Sequence, residues 1–366
     1  MTCIPCRTSN CPSTFAWFFV LCEEVNVYKI DSLTDEQLAG QRLMVGFRSK
    51  VLDEELRFMI EKMHVGGLIL FKRNVSDPSQ LAELCRAAQA LARENGNPKL
   101  VISIDQEGGP VARLGPPFTV FPGNRAIGEA GSDAAATEFG TITARELTDV
   151  GINMNFAPVL DVVPHGLDSV MADRVFGEDP ELVAHLGSVV IETLQANGIS
   201  ATAKHFPGIG RTTVDSHVDL PYLDVERQAL DSTDLAPFAA AIRSGVEAVM
   251  LSHVVYRDLD PAWPASLSAI IARDLLRKTM GFEGVAITDD LDMGAVDKHF
   301  DVDAIVRRIS DAGIDIALIC HGRNKAEAAY EALLKAVRES EEARTKATAS
   351  VQRILNMKRK YMTRES

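Results

Sequence analysis

Residues 204–217 carry the densest chemistry in this chain: Lys204, His205, Asp215 and His217, spaced by Pro207, Gly208 and Gly210. The apolar run at 198–203 just before them reads as a buried strand. Charged groups at the end of such a strand, followed by a Gly/Pro loop, point to a site rather than a core. A carboxylate two residues from an imidazole can hold it in one tautomer and favour its charged form. Such a group can give a proton to a leaving oxygen and later take one from water. A lone Asp-x-His is more plainly a surface turn, so the reading depends on what else the fold brings near.

Several other runs end in polar groups: Asp105-Gln106-Glu107-Gly108-Gly109, Asn153 to Asp161, Ser252-His253, Thr288-Asp289-Asp290 and His321. Any one of these serves as a helix cap by default. Together they are hard to explain as caps, because unpaired buried charge is costly. Neighbours in a strand point to opposite faces, so one of Asp289 and Asp290 can face a pocket while the other turns away. Asp289 is then a candidate nucleophile or electrostatic stabiliser. No phosphate loop, complete dinucleotide fingerprint, Gly-x-Ser-x-Gly elbow or zinc-protease His pair occurs.

The elements that position these groups alternate. Eight strand candidates lie at 42–47, 65–71, 99–105, 151–160, 199–205, 248–254, 284–290 and 314–320. Most are continuous apolar runs, as expected for parallel strands covered on both faces. Helical segments are expected at 81–93, 132–147, 180–197, 231–245 and 265–278, with one or two more across 325–357. Eight βα units predict an α/β fold, a single-domain (β/α)8 barrel, over an open doubly wound sheet. The barrel is expected over 31–340, with 341–366 a C-terminal helix packed on or trailing it.

Composition narrows the function. A formal net charge of −13 opposes non-specific nucleic-acid binding and gives no support for docking on an anionic membrane. No apolar run approaches the ~20 residues that span a bilayer. Residues 1–30 read as an unassigned leader with no regular period. Its apolar stretch at 15–22 has one preceding positive charge, Arg7, and no small-x-small cleavage site. Four of the six cysteines, Cys3, Cys6, Cys11 and Cys22, fall there, with no second pair at metal-site spacing. Cys85 and Cys320 read as buried thiols, so a reducing, cytoplasmic setting is expected, with export the alternative if the leader acts as a signal.

The motifs also carry a family resemblance. Lys204-His205-Phe206-Pro207-Gly208 with Asp215-Ser216-His217, then Thr288-Asp289-Asp290-Leu291-x-Met293, resembles glycoside hydrolase family 3. The match is nearest to its single-domain bacterial β-N-acetylglucosaminidases of cell-wall recycling. Residues 105–114, 156–161 and 174–180 are also similar to that group, and the resemblance covers about 34–340. It implies a retaining β-N-acetylhexosaminidase, releasing terminal GlcNAc from peptidoglycan fragments such as GlcNAc-anhydroMurNAc-peptides. Asp289 falls on the nucleophile, His217 on the acid/base and Asp215 on the residue that orients it. Asp105, Arg113, Arg174, Lys204 and His205 fall on sugar-binding positions. A small carbohydrate is the expected partner, with no metal and no organic cofactor.

Two departures stand out: Gly208-Ile209-Gly210 where the family commonly has Gly-His-Gly, and Arg211 where it often has a small or acidic residue. Ile209 removes a polar group expected close to the pocket. The large second domain of many family β-glucosidases has no counterpart here, which favours the single-domain type. Alternatives are a β-glucosidase, a β-xylosidase or a β-glycoside phosphorylase, and, from another class, a sugar-binding protein without turnover.

Overall fold

The computed structural model describes residues 29–361, so the expectations for the leader and its four cysteines lie outside the described residues. Eight parallel strands form the sheet: β1 Leu43–Gly46, β2 Gly67–Leu70, β3 Val101–Ile104, β4 Met154–Asn155, β5 Ser200–Phe206, β6 Ala248–Leu251, β7 Val285–Thr288 and β8 Ala317–Ile319. Each pairs with the next, and β1 pairs with β8. The circle closes through the Ile287–Ile316 bridge and the Thr288 N–H donating to the Ile316 carbonyl at 3.0 Å. This is the expected (β/α)8 barrel, held as one domain. Two details differ from the sequence reading. The fourth strand is regular over two residues rather than ten: the ladder is interrupted around Pro158, which has no N–H to donate, and pairing with β5 resumes at Val159, bridged to Lys204. The helix expected from 231 carries a wider π turn, Leu230–Asp234, after a short α turn, and that expected from 265 begins as a 3-10 turn, Ala265–Leu267, and continues as a π-helix, Ile270–Thr279.

Local signals set the outer helices. In α1, Pro78–Glu94, Asp77 caps the Gln80 N–H, Pro78 occupies the first turn, and Leu81, Leu84, Cys85, Ala88 and Leu91 face the sheet. In α2, Pro180–Ala196, Asp179 and Pro180 do the same. The barrel interior holds Met44, Ile69, Val101, Met154, Phe156, Met250, Val285 and Ile287. Ile354 and Met357 of the last helix, α3 Glu341–Tyr361, join that cluster. Nearby, Lys358 Nζ donates to Gln41 Oε1 and the Gly66 carbonyl, beside the N-terminal end of β2. The helix that follows the barrel in sequence therefore packs on the barrel and helps fill its core, leaving the C-terminal ends of the strands for a site.

Candidate active site

The C-terminal end of β3 runs into a short antiparallel hairpin, Gln106–Gly108 against Val111–Ala112. Gly108 and Gly109 make its turn with positive φ, 82° and 59°, where side chains are strained. Gln106 Oε1 accepts from the N–H groups of Arg113 and Leu114, and Asn155 Oδ1 accepts from Gln106 N. This frame holds Asp105, Glu107 and Arg113 over the pocket.

A buried ion network follows. Lys204 Nζ lies 2.9 Å from Asp105 Oδ1 and 2.6 Å from Glu107 Oε1. Arg113 donates to Asp105 Oδ2 at 2.9 Å, and Arg174 makes a two-point contact with Glu107 at 2.8 and 3.0 Å. Burial pushes both carboxyls up, but Lys204 with Arg113 holds Asp105, and Lys204 with Arg174 holds Glu107, below their ordinary values. Three cations face two carboxylates here, and the carboxylates of Asp161 and Asp289 stand close to Arg174 and Lys204 respectively. Glu107 had no role in the sequence reading. The signal was there: it lies two residues from Asp105, on the same face of an extended chain.

His205 Nδ1 lies 2.8 Å from the buried Asp161, whose other oxygen accepts from Ile209 N at 2.7 Å. Ile209 itself packs into the hydrophobic core, 7% exposed. The expectation that it stands at the pocket is corrected: its backbone serves the site while its side chain turns inward. Arg211 is likewise drawn away, pairing with the buried Asp234 at 3.0 Å.

Asp289 stands just past the end of β7. Burial pushes its carboxyl up, but His205, His253, the Asp290 N–H and Lys204 together hold it low. His253, buried, is fixed by Ser266 Oγ at 2.6 Å and the Asp290 carbonyl at 2.8 Å, and burial favours its neutral form. Sequence reading noted His253 only as a polar strand end. Asp290 turns the other way, as alternation requires, and its Oδ1 accepts from Asp292 N and Cys320 N, both at 3.0 Å.

Asp215 and His217 sit on the long loop after β5. His217 Nδ1 is 2.8 Å from Asp215 Oδ1, which also accepts the His217 N–H at 2.9 Å. The His217 ring is 70% exposed, and its Nε2 has no protein partner among the described residues. Asp215 is held below its ordinary value, with partial burial opposed by the His217 contacts and the charge of Arg174. The structure thus gathers Asp105, Arg113, Arg174, Lys204, His205 and Asp289 in one pocket. It sets the Asp215–His217 pair on the loop at the rim, with no hydrogen bond to Asp289.

Residues 33–357 of this barrel match the family described as glycosyl hydrolase family 3 N terminal domain. The chain belongs to glycosyl hydrolase family 3. This glycoside hydrolase is 38% identical over 296 residues to a beta-hexosaminidase of Thiobacillus denitrificans, spanning 78% of this chain and 79% of that protein. It is 37% identical over 321 residues to beta-hexosaminidase A of Pseudoalteromonas piscicida, but spans only 54% of that relative's length. Among solved structures, the family 3 beta-N-acetylglucosaminidase from Paenibacillus superposes with a TM-score of 0.88 at 42% identity, over 92% of this chain and 64% of that one. Native NagZ from Neisseria gonorrhoeae superposes with a TM-score of 0.71 at 31% identity, over 86% and 97%.

Proposed function

We propose that this family 3 member is a retaining exo-β-N-acetylglucosaminidase acting on terminal β-linked GlcNAc, with peptidoglycan fragments of the GlcNAc-anhydroMurNAc-peptide type as substrate. The observation that carries the reading is the ionised Asp289 beside the buried Lys204 and His205, with a carboxylate–imidazole pair on the loop after β5. The names of the relatives and of the structural neighbours support its β-N-acetylglucosaminidase part.

The chemistry follows from the atoms. An Asp289 oxygen attacks the anomeric carbon while the bond to the leaving oxygen breaks, giving a glycosyl ester. With Nδ1 engaged by Asp215, His217 presents Nε2, and its proton goes to the leaving oxygen. Water then gives that proton back to His217 and attacks the anomeric carbon, releasing Asp289. A histidine in the acid/base role departs from the usual pair of carboxylates. Asp105, Glu107, Arg113, Arg174, Lys204 and His205 supply acceptors and donors for ring hydroxyls and the N-acetyl carbonyl.

Asp289→Ala is expected to lower turnover of an aryl β-N-acetylglucosaminide by at least about 10³-fold. A fluorosugar trap is expected to add one glycosyl mass to Asp289 in the unaltered protein. Near-normal turnover by the variant would sink the reading. The imidazole in place of a second carboxylate favours one further reaction, attack by phosphate instead of water, because it adds less negative charge near the anomeric centre. Sugar 1-phosphate formed only when phosphate is supplied would make the protein a phosphorylase. We also place it in the cytoplasm, supported by the free buried thiols of Cys85 and Cys320. No helix among the described residues is long and apolar enough to cross a membrane.

A further inference from the structure

Asp215 and His217 stand on an exposed stretch, but the chain that delivers them from β5 is buried over residues 208–212, apart from some of Arg211. Different neighbours hold this stem. The Gly208 carbonyl accepts from Tyr256 Oη at 2.7 Å, and Ile209 N donates to Asp161 at 2.7 Å. Gly210 lies so close to Val162 that a Cβ there would collide with the Val162 carbonyl. Thr212 Oγ1 donates back to the Ile209 carbonyl at 2.6 Å, and the Thr212 carbonyl accepts from Val170 N at 3.2 Å.

Arg211 is the charged member of the stem. Its Nε donates to both oxygens of Asp234, at 3.0 and 3.3 Å. That aspartate is buried and ends the π turn Leu230–Asp234, an irregularity of a kind frequent at functional positions. Gly208 lets the stem approach the turn: its φ is 123°, and a Cβ there would stand 2.9 Å from the Asp234 Cβ. Asp161 repels Asp234 and is itself engaged by His205 and Ile209 N. Arg211 is thus the ion-pair partner of Asp234 among the described residues. Three residues, 212–214, separate it from Asp215. An exposed pair of side chains takes its position from where its loop is fastened, and a shift of about 1 Å in a reacting group can cost 10²-fold in rate.

We infer that Arg211, pinned by Asp234, is a positioning residue for the acid His217, fastening its loop to the helix that follows. The inference rests on the glycosidase reading above, with His217 as the acid, and deepens it. Two aryl β-N-acetylglucosaminides test it. The phenyl substrate needs a proton on its leaving oxygen, whereas 3,4-dinitrophenyl departs as a stable anion and needs little help. The ratio of their kcat/KM values, phenyl over 3,4-dinitrophenyl, therefore reports the acid rather than the sugar pocket. In Arg211→Ala the ratio is expected to fall about tenfold or more, with a smaller fall in Asp234→Asn. Arg211→Lys is expected to restore it, because the contact is made through Nε and an ammonium can reach the same carboxylate. In a His217→Ala background, Arg211→Ala is expected to move the ratio no further, since the one residue acts through the other. Equal losses on both substrates, or an unmoved ratio in a variant whose melting curve shows it folded, overturn the inference. Should Arg211→Ala fail to fold, the ratio in Asp234→Asn decides. If His217→Ala alone leaves the ratio unmoved, the acid assignment falls, and the positioning role with it. Failure of the unaltered protein to cleave either substrate overturns the glycosidase reading itself.

Discussion

The carbonyl oxygen of His217 accepts a hydrogen bond from the amide of Gly294, 3.2 Å away. It ties the loop after β5 to the turn that follows Asp289. The Ser216 carbonyl accepts from Ala295 N at 3.1 Å, Lys298 Nζ donates to the Val218 carbonyl at 2.7 Å, and His299 Nε2 meets Asp219 at 2.9 Å. The proposed acid and the proposed nucleophile thus belong to two strands but share one docking contact.

Gly294 is needed for that contact. A Cβ there would stand 2.7 Å from the Val218 carbonyl oxygen and 2.8 Å from that of His217, both backbone atoms that cannot swing aside. Gly294→Ala should displace the loop and lower kcat by about tenfold or more. The exposed segment 215–218 should give way rather than the buried Gly294, so the melting temperature should move little. Unchanged kcat would show that the docked position is not the working one.

Asp215→Asn keeps the shape of the side chain but removes the charge that faces His217 Nδ1. We expect kcat to fall by about 10²-fold with KM nearly unchanged, since the contact acts in proton transfer rather than in sugar binding. A rise in KM alone would assign Asp215 to substrate binding instead.

Glu107→Gln leaves Lys204 and Arg174 facing one carboxylate, Asp105, in a buried network. Removing one partner of a buried pair costs about 3–5 kcal/mol. The variant should melt well below the unaltered protein, and KM for an aryl β-N-acetylglucosaminide should rise. Equal melting curves would mean that the network is solvated in solution.

Asp290 gives a pH test. Burial, with repulsion from Asp292 and Asp289, pushes its carboxyl up to about 6 against N–H bonds from Asp292 and Cys320. The folded state then binds this proton more tightly than the unfolded chain does. The group's contribution to stability is therefore present at low pH and lost as pH rises from about 4 to about 6. The substitution Asp290→Asn keeps an Oδ1 that can accept both N–H groups and removes the titrating proton. This variant should gain stability relative to the unaltered protein on going from pH 4 to pH 7, by the order of 1 kcal/mol. Thermal melts at the two pH values measure this, and a constant difference would refute it.

Much of the fold is legible in the chain itself. Continuous apolar runs mark strands covered on both faces, and Asp77-Pro78 and Asp179-Pro180 mark helix starts, because these signals act within a few residues. The same locality placed Asp105, Lys204, His205 and Asp289 at strand ends, and alternation separated Asp289 from Asp290. Ile209 shows where local reasoning stops. Its neighbours are pocket residues, yet its side chain points into the core because the Asp161 carboxylate fixes its N–H.

Only the tertiary structure decided which strand ends meet. Closure through Ile287 and Ile316 sets β8 between β7 and β1. Arg73 can therefore reach the Cys320 carbonyl across 247 positions of sequence, and His321 can lie against Phe71. Periodicity dictates which face of its own strand a residue occupies, and it carries no information about the strand next door. That neighbour is selected by the packing of the whole ring, and so is the register that brings Gly294 to the carbonyl of His217.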